Sequence, residues 1–193
     1  MQITILGSCS GTEPMPGRRH TSWTLELDGE LYWFDAGETC SYTAHLMDID
    51  LLKTRGIFIS HPHMDHVGGL PNLLWTIRKL TYVKRILDPF TINIYSSVPK
   101  QVQAMIDILK DTEGDFVSCF DIRIHQVSDG VLMSSPLLVE AKHNEHMPMD
   151  QNGLWRSFSY RIKAKDKNIV YSGDISSIEE LGIYHTQFNV VST

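Results

Sequence analysis

Three histidines and an aspartate, His61, His63, Asp65 and His66, fall within six positions of the string Ser60-His61-Pro62-His63-Met64-Asp65-His66. Imidazole nitrogen and carboxylate oxygen suit Zn²⁺, Fe or Mn²⁺, and a catalytic site keeps one coordination position open for water. A single histidine is more often a surface or hydrogen-bonded residue than a ligand. Four such groups behind an apolar strand are a different matter, because a folding core does not need them. Side chains two apart on an extended chain point the same way, so His61 and His63 can grip one ion together. Pro62 fixes φ between them and disfavours a helix before the turn. Asp65 and His66 project in different directions and could serve a second ion nearby.

Other residues of suitable chemistry stand at the ends of apolar runs. Asp35 closes Tyr32-Trp33-Phe34 and precedes Ala36-Gly37-Glu38; it reads equally well as a site carboxylate and as an ordinary turn residue. Asp174 follows Ile169-Val170-Tyr171-Ser172-Gly173 in the same manner, and a carboxylate there could bridge two ions. His143 and His146 come after the apolar segment 137–141, and one of them could complete the ion of His61 and His63. Arg18-Arg19-His20 could meet a phosphate, although a solvated loop explains those residues as simply.

The elements that must carry these groups can be read from periodicity. Strands are expected at 3–6, 22–27, 31–34, 56–59 and 91–95, then at 121–126, 137–141, 158–164, 168–171 and 189–191. Asp28-Gly29 between two apolar runs signals a hairpin. Helices are expected over 39–52, over 71–80 with Leu70, Leu73, Leu74 and Ile77 on one face, and over 100–110. Pro71 fits the first turn of its helix. Hairpins and helices alternate, so two sheets sandwiched between helices is the natural packing.

At 193 residues, 42% hydrophobic and 21% charged, the chain suits one soluble domain, 1–193, with a real core. No apolar run is long enough for a bilayer, so no membrane partner is expected, and the start lacks the layout of a secretion signal. Cys9, Cys40 and Cys119 form neither a disulfide framework nor a zinc knuckle, which points to the cytoplasm. A net charge of −6 argues against broad non-specific nucleic-acid binding.

The string His61-x-His63-x-Asp65-His66, with Asp35-Ala36-Gly37-Glu38 and Ser172-Gly173-Asp174, resembles the metallo-β-lactamase superfamily in order and setting. Leu6-Gly7-Ser8, Gly11-Thr12, Pro14 and Arg18-Arg19-His20-Thr21-Ser22 are most similar to the ribonuclease Z branch, as is Gly69-Leu70-Pro71 behind the histidines. They are also similar to its smaller relatives that hydrolyse cyclic or small phosphodiesters. The resemblance runs almost from the first residue to the last.

It implies an α/β fold, an αββα sandwich of two mixed sheets flanked by helices. It also implies a metal-dependent hydrolase carrying two zinc ions, with manganese or iron as substitutes. One ion would take His61, His63 and His146, the other Asp65 and His66, with Asp174 bridging. Counting from Val139 to the family's histidine favours His146 over His143, which would then stand behind the ligands. Asp35 would also lie behind them and orient a ligand. Asp65 and Asp174 would serve catalysis, Asp65 by orienting the nucleophile, and His20 would touch phosphate.

Two departures stand out. The family continues with a further strand and helix carrying a last histidine, whereas here the sequence ends at Val190-Val191-Ser192-Thr193 and His185 is not in the family's position. A missing strand and helix would weaken the second ion and uncover apolar sheet surface, which invites a homodimer. The region 79–89 is also too short for a tRNA-gripping arm. A phosphodiester, small molecule or RNA, is the expected substrate. A thioester, lactone or sulfate-ester hydrolase, or a degenerate domain of little activity, are the competing expectations.

Overall fold

The computed structural model describes residues 1–13, 15–86, 88–113, 120–184 and 189–191. Cys119 and His185 lie outside them. The first sheet has the order β1 (Gln2–Gly7), β2 (Ser22–Leu27), β3 (Glu30–Phe34), β4 (Thr54–Phe58), β5 (Phe90–Ser96), β6 (Phe120–Gln126). Its first three strands are antiparallel, with Asp28 (φ 50°) and Gly29 (φ 87°) turning the β2–β3 hairpin; from β3 onward the strands are parallel. The second sheet runs β11 (Asn189–Val191), β10 (Lys167–Tyr171), β9 (Phe158–Ala164), β8 (Leu138–His143), β7 (Gly130–Met133). Both sheets are mixed, because β10 and β11 pair in parallel while the rest of the second sheet is antiparallel.

The middle strands of the first sheet are buried on both faces, which is why 31–34 and 56–59 read as nearly continuous apolar runs. On one face Leu31, Trp33, Ile57, Ile59, Ile92 and Ile94 pack beneath helices α1 (Cys40–Leu46), α3 (Leu70–Val83) and α4 (Pro99–Glu113). Leu70, Leu73, Leu74 and Ile77 form the buried stripe of α3, the spacing that sequence predicts, and Pro71 occupies its first turn. On the other face Trp23, Leu25, Tyr32, Phe34 and Phe58 meet Val139, Phe158, Tyr160, Ile162 and Tyr171 of the second sheet. Among the described residues α1, α3 and α4 all lie against the first sheet; the outer side of the second bears the Glu140–Arg161 ion pair.

Three local differences from expectation have physical causes. Helix α1 stops at Leu46 instead of running to 52, because Asp48 takes a left-handed φ of 56° and Asp50 caps a separate 3₁₀ turn, Leu51–Lys53. Residues Met64–Val67 close one helical turn, α2, immediately after His63. Strand β7 was not expected: it has four residues without alternation, and its pairing with β8 slips between Val131 and Met133.

This topology collects useful ends on one rim. Strands β3, β4, β5 and β6 are parallel, so their C-terminal ends share an edge, and open twisted sheets of this kind place sites there. β8 and β10, both antiparallel to β9, end together on their own sheet.

Candidate metal centre

Each segment reaching that rim carries a candidate ligand. β4 delivers Ser60, His61 and His63; α2 delivers Asp65 and His66; the turn after β8 delivers His146, and the turn after β10 delivers Asp174. Tight backbone approaches fix these turns. A Cβ at Gly69 would lie 2.2 Å from the Gly37 carbonyl oxygen, so only glycine admits the α2–α3 corner against the segment after β3. Gly173 has φ 57° and its missing Cβ would stand 2.8 Å from Cβ of Ser60, which brings Asp174 down onto the β4 end.

The imidazoles converge. Nε2 of His61 lies 3.0 Å from Nδ1 of His63, and Nε2 of His146 lies 3.3 Å from the same Nδ1. Asp174 approaches from the second sheet, with oxygens 3.9 Å from His61 Nε2, 3.6 Å from His146 Nε2 and 3.4 Å from His66 Nε2. Asp65 Oδ2 lies 3.5 Å from His66 Nε2 and accepts the Gly11 amide at 3.0 Å. Two groups of three, His61–His63–His146 and His61–His66–Asp174, each have their donor atoms within 4.8 Å of one another. Nitrogens about 3.3 Å apart are the edge that a tetrahedron of Zn–N bonds near ~2.05 Å would make. The donor set and its spacing therefore fit a borderline metal ion.

Behind these groups sits Asp35, fully buried with φ 60°. Its Oδ1 accepts the Ser60 amide at 2.6 Å; its Oδ2 accepts Ser60 Oγ at 2.7 Å and the Tyr171 hydroxyl at 2.5 Å. The same Oδ2 lies 2.6 Å from Nδ1 of His66, which holds that ring's Nδ1 proton and turns Nε2 toward Asp65 and Asp174. Ser60 Oγ, having given its hydrogen to Asp35, can accept from Nδ1 of His61 at 3.0 Å and leave that ring's Nε2 free to bind.

Burial, helped by the charge of His66, lowers the His61 pKa to about 3, so this ring is a neutral donor at physiological pH. His66 is pushed the other way, to about 10: burial opposes its charge, but Asp35 and Asp174 outweigh it. A hydrogen bond from His66 is the largest cause holding Asp174 at about 2, against the cost of burial. Burial also lowers His146. The two carboxylates thus impose a cation-favouring potential where the nitrogens meet.

His143 and His20 do not join this cluster. His143 pairs with Phe158 at the β8–β9 edge; Asp129 takes its amide at 2.7 Å and its Nδ1 at 2.8 Å, and its ring stacks on Trp155. This clamp holds His143 against Asp129 and Trp155. His20 lines a neighbouring cavity of about 180 Å³ with Arg18, Arg19 and Glu38, its Nδ1 3.7 Å from Glu38. Cβ of His20 and the Asp65 carbonyl oxygen both crowd the missing Cβ of Gly37, at 2.7 and 2.3 Å, so that cavity adjoins the α2 turn.

Sequence reasoning missed Ser60, Tyr171 and the Gly11 amide as parts of the site. Tyr171 sits three positions before Asp174, yet its partner Asp35 is 136 residues away, and no local pattern announces such a bond.

The likenesses to known proteins agree with this geometry. A ribonuclease Z of Methanothermobacter thermautotrophicus is 32% identical over 133 residues, which are 69% of this chain and 40% of that protein. The chain thus spans less than half the length of that relative. The human tRNase Z short form superposes with a TM-score of 0.74 at 24% identity, covering 94% of this chain and 72% of that one. The metallo-β-lactamase fold protein YhfI from Bacillus subtilis superposes with a TM-score of 0.59 at 16% identity, covering 89% and 61%. The sandwich is the metallo-β-lactamase fold, as the sequence resemblance implied. A family model described as anti-Pycsar protein Apyc1 matches residues 1–191, and with nearly every residue inside that match the chain belongs to this family.

Proposed function

We propose that this chain is a metal-dependent hydrolase of phosphodiesters, with His61, His63 and His146 holding one ion, Asp65 and His66 a second, and Asp174 shared between them. The convergence of five donors, His61, His63, His66, His146 and Asp174, from four separate chain segments onto one rim carries the reading, with Asp65 3.5 Å from His66 beside them. Nitrogen and oxygen donors favour zinc, with manganese or iron as substitutes. Divalent ions bound there would supply Lewis acidity and acidify water near neutral pH.

The chain's own residues do the rest. Asp174, ionised at any physiological pH, and neutral His61 present lone pairs without first shedding a proton. Asp65, steadied by the Gly11 amide, has an oxygen facing the cleft side of His66 and is placed to orient the attacking water. Arg18, Arg19 and His20 offer N–H donors beside the α2 turn, suited to phosphate oxygens. The likeness to proteins named ribonuclease Z supports a phosphodiester over a thioester or lactone. The substrate is a small phosphodiester or RNA.

Elemental analysis of protein purified without chelator, followed by assay on bis-p-nitrophenyl phosphate, tests this directly. Zinc should be present, and His63→Ala and Asp174→Ala should lose metal and turnover together. Turnover surviving in either metal-free variant, or a zinc-loaded protein that cleaves a thioester and no phosphodiester, would sink the reading.

A further inference from the structure

Two of the candidate ligands come from strand ends that are not neighbours. His146 follows β8 and Asp174 follows β10, and β9 lies between those strands. Adjacent strands stand about 4.8 Å apart, so these two ends are roughly 10 Å apart along the sheet. No ladder of backbone bonds joins them. Yet beyond the strands the turns close until an Asp174 oxygen stands 3.6 Å from His146 Nε2. A binding constellation tolerates an error of only about 0.5 Å in its donors, so the approach of these turns has to be fixed by other means.

Side chains fix it at two levels. In the interior, Asn144 Oδ1 accepts the His146 amide at 3.2 Å, while its Nδ2 donates to Ser159 Oγ at 3.1 Å and to the Ser172 carbonyl at 3.3 Å. Ser159 Oγ donates to the same carbonyl at 2.7 Å, so this tie passes over the β9 strand. At the surface the tie is a carboxylate. Glu180 Oε2 accepts the Glu145 amide at 2.8 Å, and its Oε1 accepts the amides of Ser176 and Ser177 at 2.8 and 3.0 Å. Glu145 immediately precedes His146, and Ser176 stands two residues after Asp174.

Half of this grip has a local explanation. Glu180 rides on the 3₁₀ segment Ile178–Tyr184, and a glutamate at the third position of a helical turn commonly bonds back to the amide of the residue that opens it, here Ser177. Capping occupies one oxygen. The other reaches 35 residues back along the chain to the β8 turn, which capping does not require. We infer that Glu180 is a positioning residue of the metal centre: its two oxygens hold the His146 turn and the Asp174 turn at the separation that lets both side chains reach the same ion. The inference rests on the assignment of His146 and Asp174 as ligands; Glu180 acts through them and is not a ligand itself.

The test compares Glu180→Gln, Glu180→Asp and, as a control for charge, Glu179→Gln, each loaded with zinc or with cobalt(II). A carboxamide has one acceptor oxygen, so glutamine loses one side of the grip; aspartate keeps the charge but is a methylene too short to span both turns. Both Glu180 variants should bind zinc about 10–100-fold more weakly per folded molecule, measured by competition with a chelator. Both should also change the visible absorption of the cobalt(II) form, which reports coordination geometry and which a residue that only supports the fold would leave alone. Glu179→Gln removes the same charge from an exposed neighbour and should match the wild type in both readouts. Wild-type affinity and spectrum in Glu180→Gln would overturn the inference. So would wild-type behaviour of Glu180→Asp, which would make Glu180 a source of charge alone, or an equal loss in Glu179→Gln. Should the wild type itself bind neither zinc nor cobalt, the ligand assignment is what fails, and the inference falls with it.

Discussion

The two faces of the first sheet's middle strands are both buried, but they are buried in different materials. Beneath the helices the layer is mostly aliphatic: Ile57, Ile59, Ile92 and Ile94 against Leu70, Leu73, Leu74 and Ile77. Between the sheets it is largely aromatic, with Trp23 stacked on Phe34 at 4.3 Å, Phe34 on Phe58 at 5.0 Å and Phe58 on Tyr95 at 4.6 Å. Aliphatic side chains fill space and make no directional demand. A buried tyrosine does, because its hydroxyl must find a partner. Tyr171 finds Asp35 at 2.5 Å and Tyr160 finds the Ile59 carbonyl at 2.6 Å, both across the gap between sheets. The aromatic layer therefore sets the distance between the sheet that brings the motif histidines and the sheet that brings Asp174 and His146. The aliphatic layer holds the fold up without addressing the site.

The sharpest way to break this contrast is at Asp35, where the aromatic layer meets the ligands. Asp35→Ala leaves the Ser60 amide, the Tyr171 hydroxyl and a charged His66 without their common acceptor. Removing one partner of a buried ion pair costs about 3–5 kcal/mol, so urea denaturation should show a loss of that size together with loss of bound zinc. Ile94→Ala, in the other layer, should cost about 2–5 kcal/mol through the cavity it leaves, with zinc affinity per folded molecule unchanged within about twofold. A zinc affinity that fell with Ile94 would erase the distinction. Tyr171→Phe should do the reverse, at about 1 kcal/mol of stability and a roughly 10–100-fold drop in zinc affinity, measured by competition with a chelator.

What the sequence discloses follows the same division. Periodicity finds the buried stripe of α3 and most strand positions, because repeated apolar spacing is a local property. The motif histidines are legible for the same reason: they stand two and three residues apart on one strand end and one short turn. The partners that orient them are not. Asp35 holds a proper place in the sequence, but nothing near it tells that Ser60, His66 and Tyr171 share its two oxygens. Local spacing alone does not separate His143 from His146, and the family resemblance is what favours His146; the bond from His143 to Asp129, fourteen residues back, is likewise invisible to local pattern. Strand β7, short and bulged, belongs to the class of edge elements whose existence depends on a neighbour.

The smallest of the expected effects separates the two layers by pH alone. Burial, and then the negative charge of Asp35, holds the phenols of Tyr160 and Tyr171 well above their ordinary value of 10.0. Below that value folded and unfolded chains both keep the phenolic protons, and the pair adds no pH dependence. Above it the unfolded chain releases them while the folded chain does not, so stability falls as the pH rises, by about 1.4 kcal/mol per unit for each tyrosine. Tyr32 and Tyr95 are raised in the same direction, chiefly by burial, and contribute to that slope. Urea midpoints measured between pH 9 and 11.5 should therefore decline more gently in Tyr160→Phe and in Tyr171→Phe than in the wild type. Ile94→Ala should start lower and run parallel to the wild type. A wild-type slope in both phenylalanine variants would mean that the crossing hydroxyls ionise freely, and the coupling of the sheets through them would have to be given up.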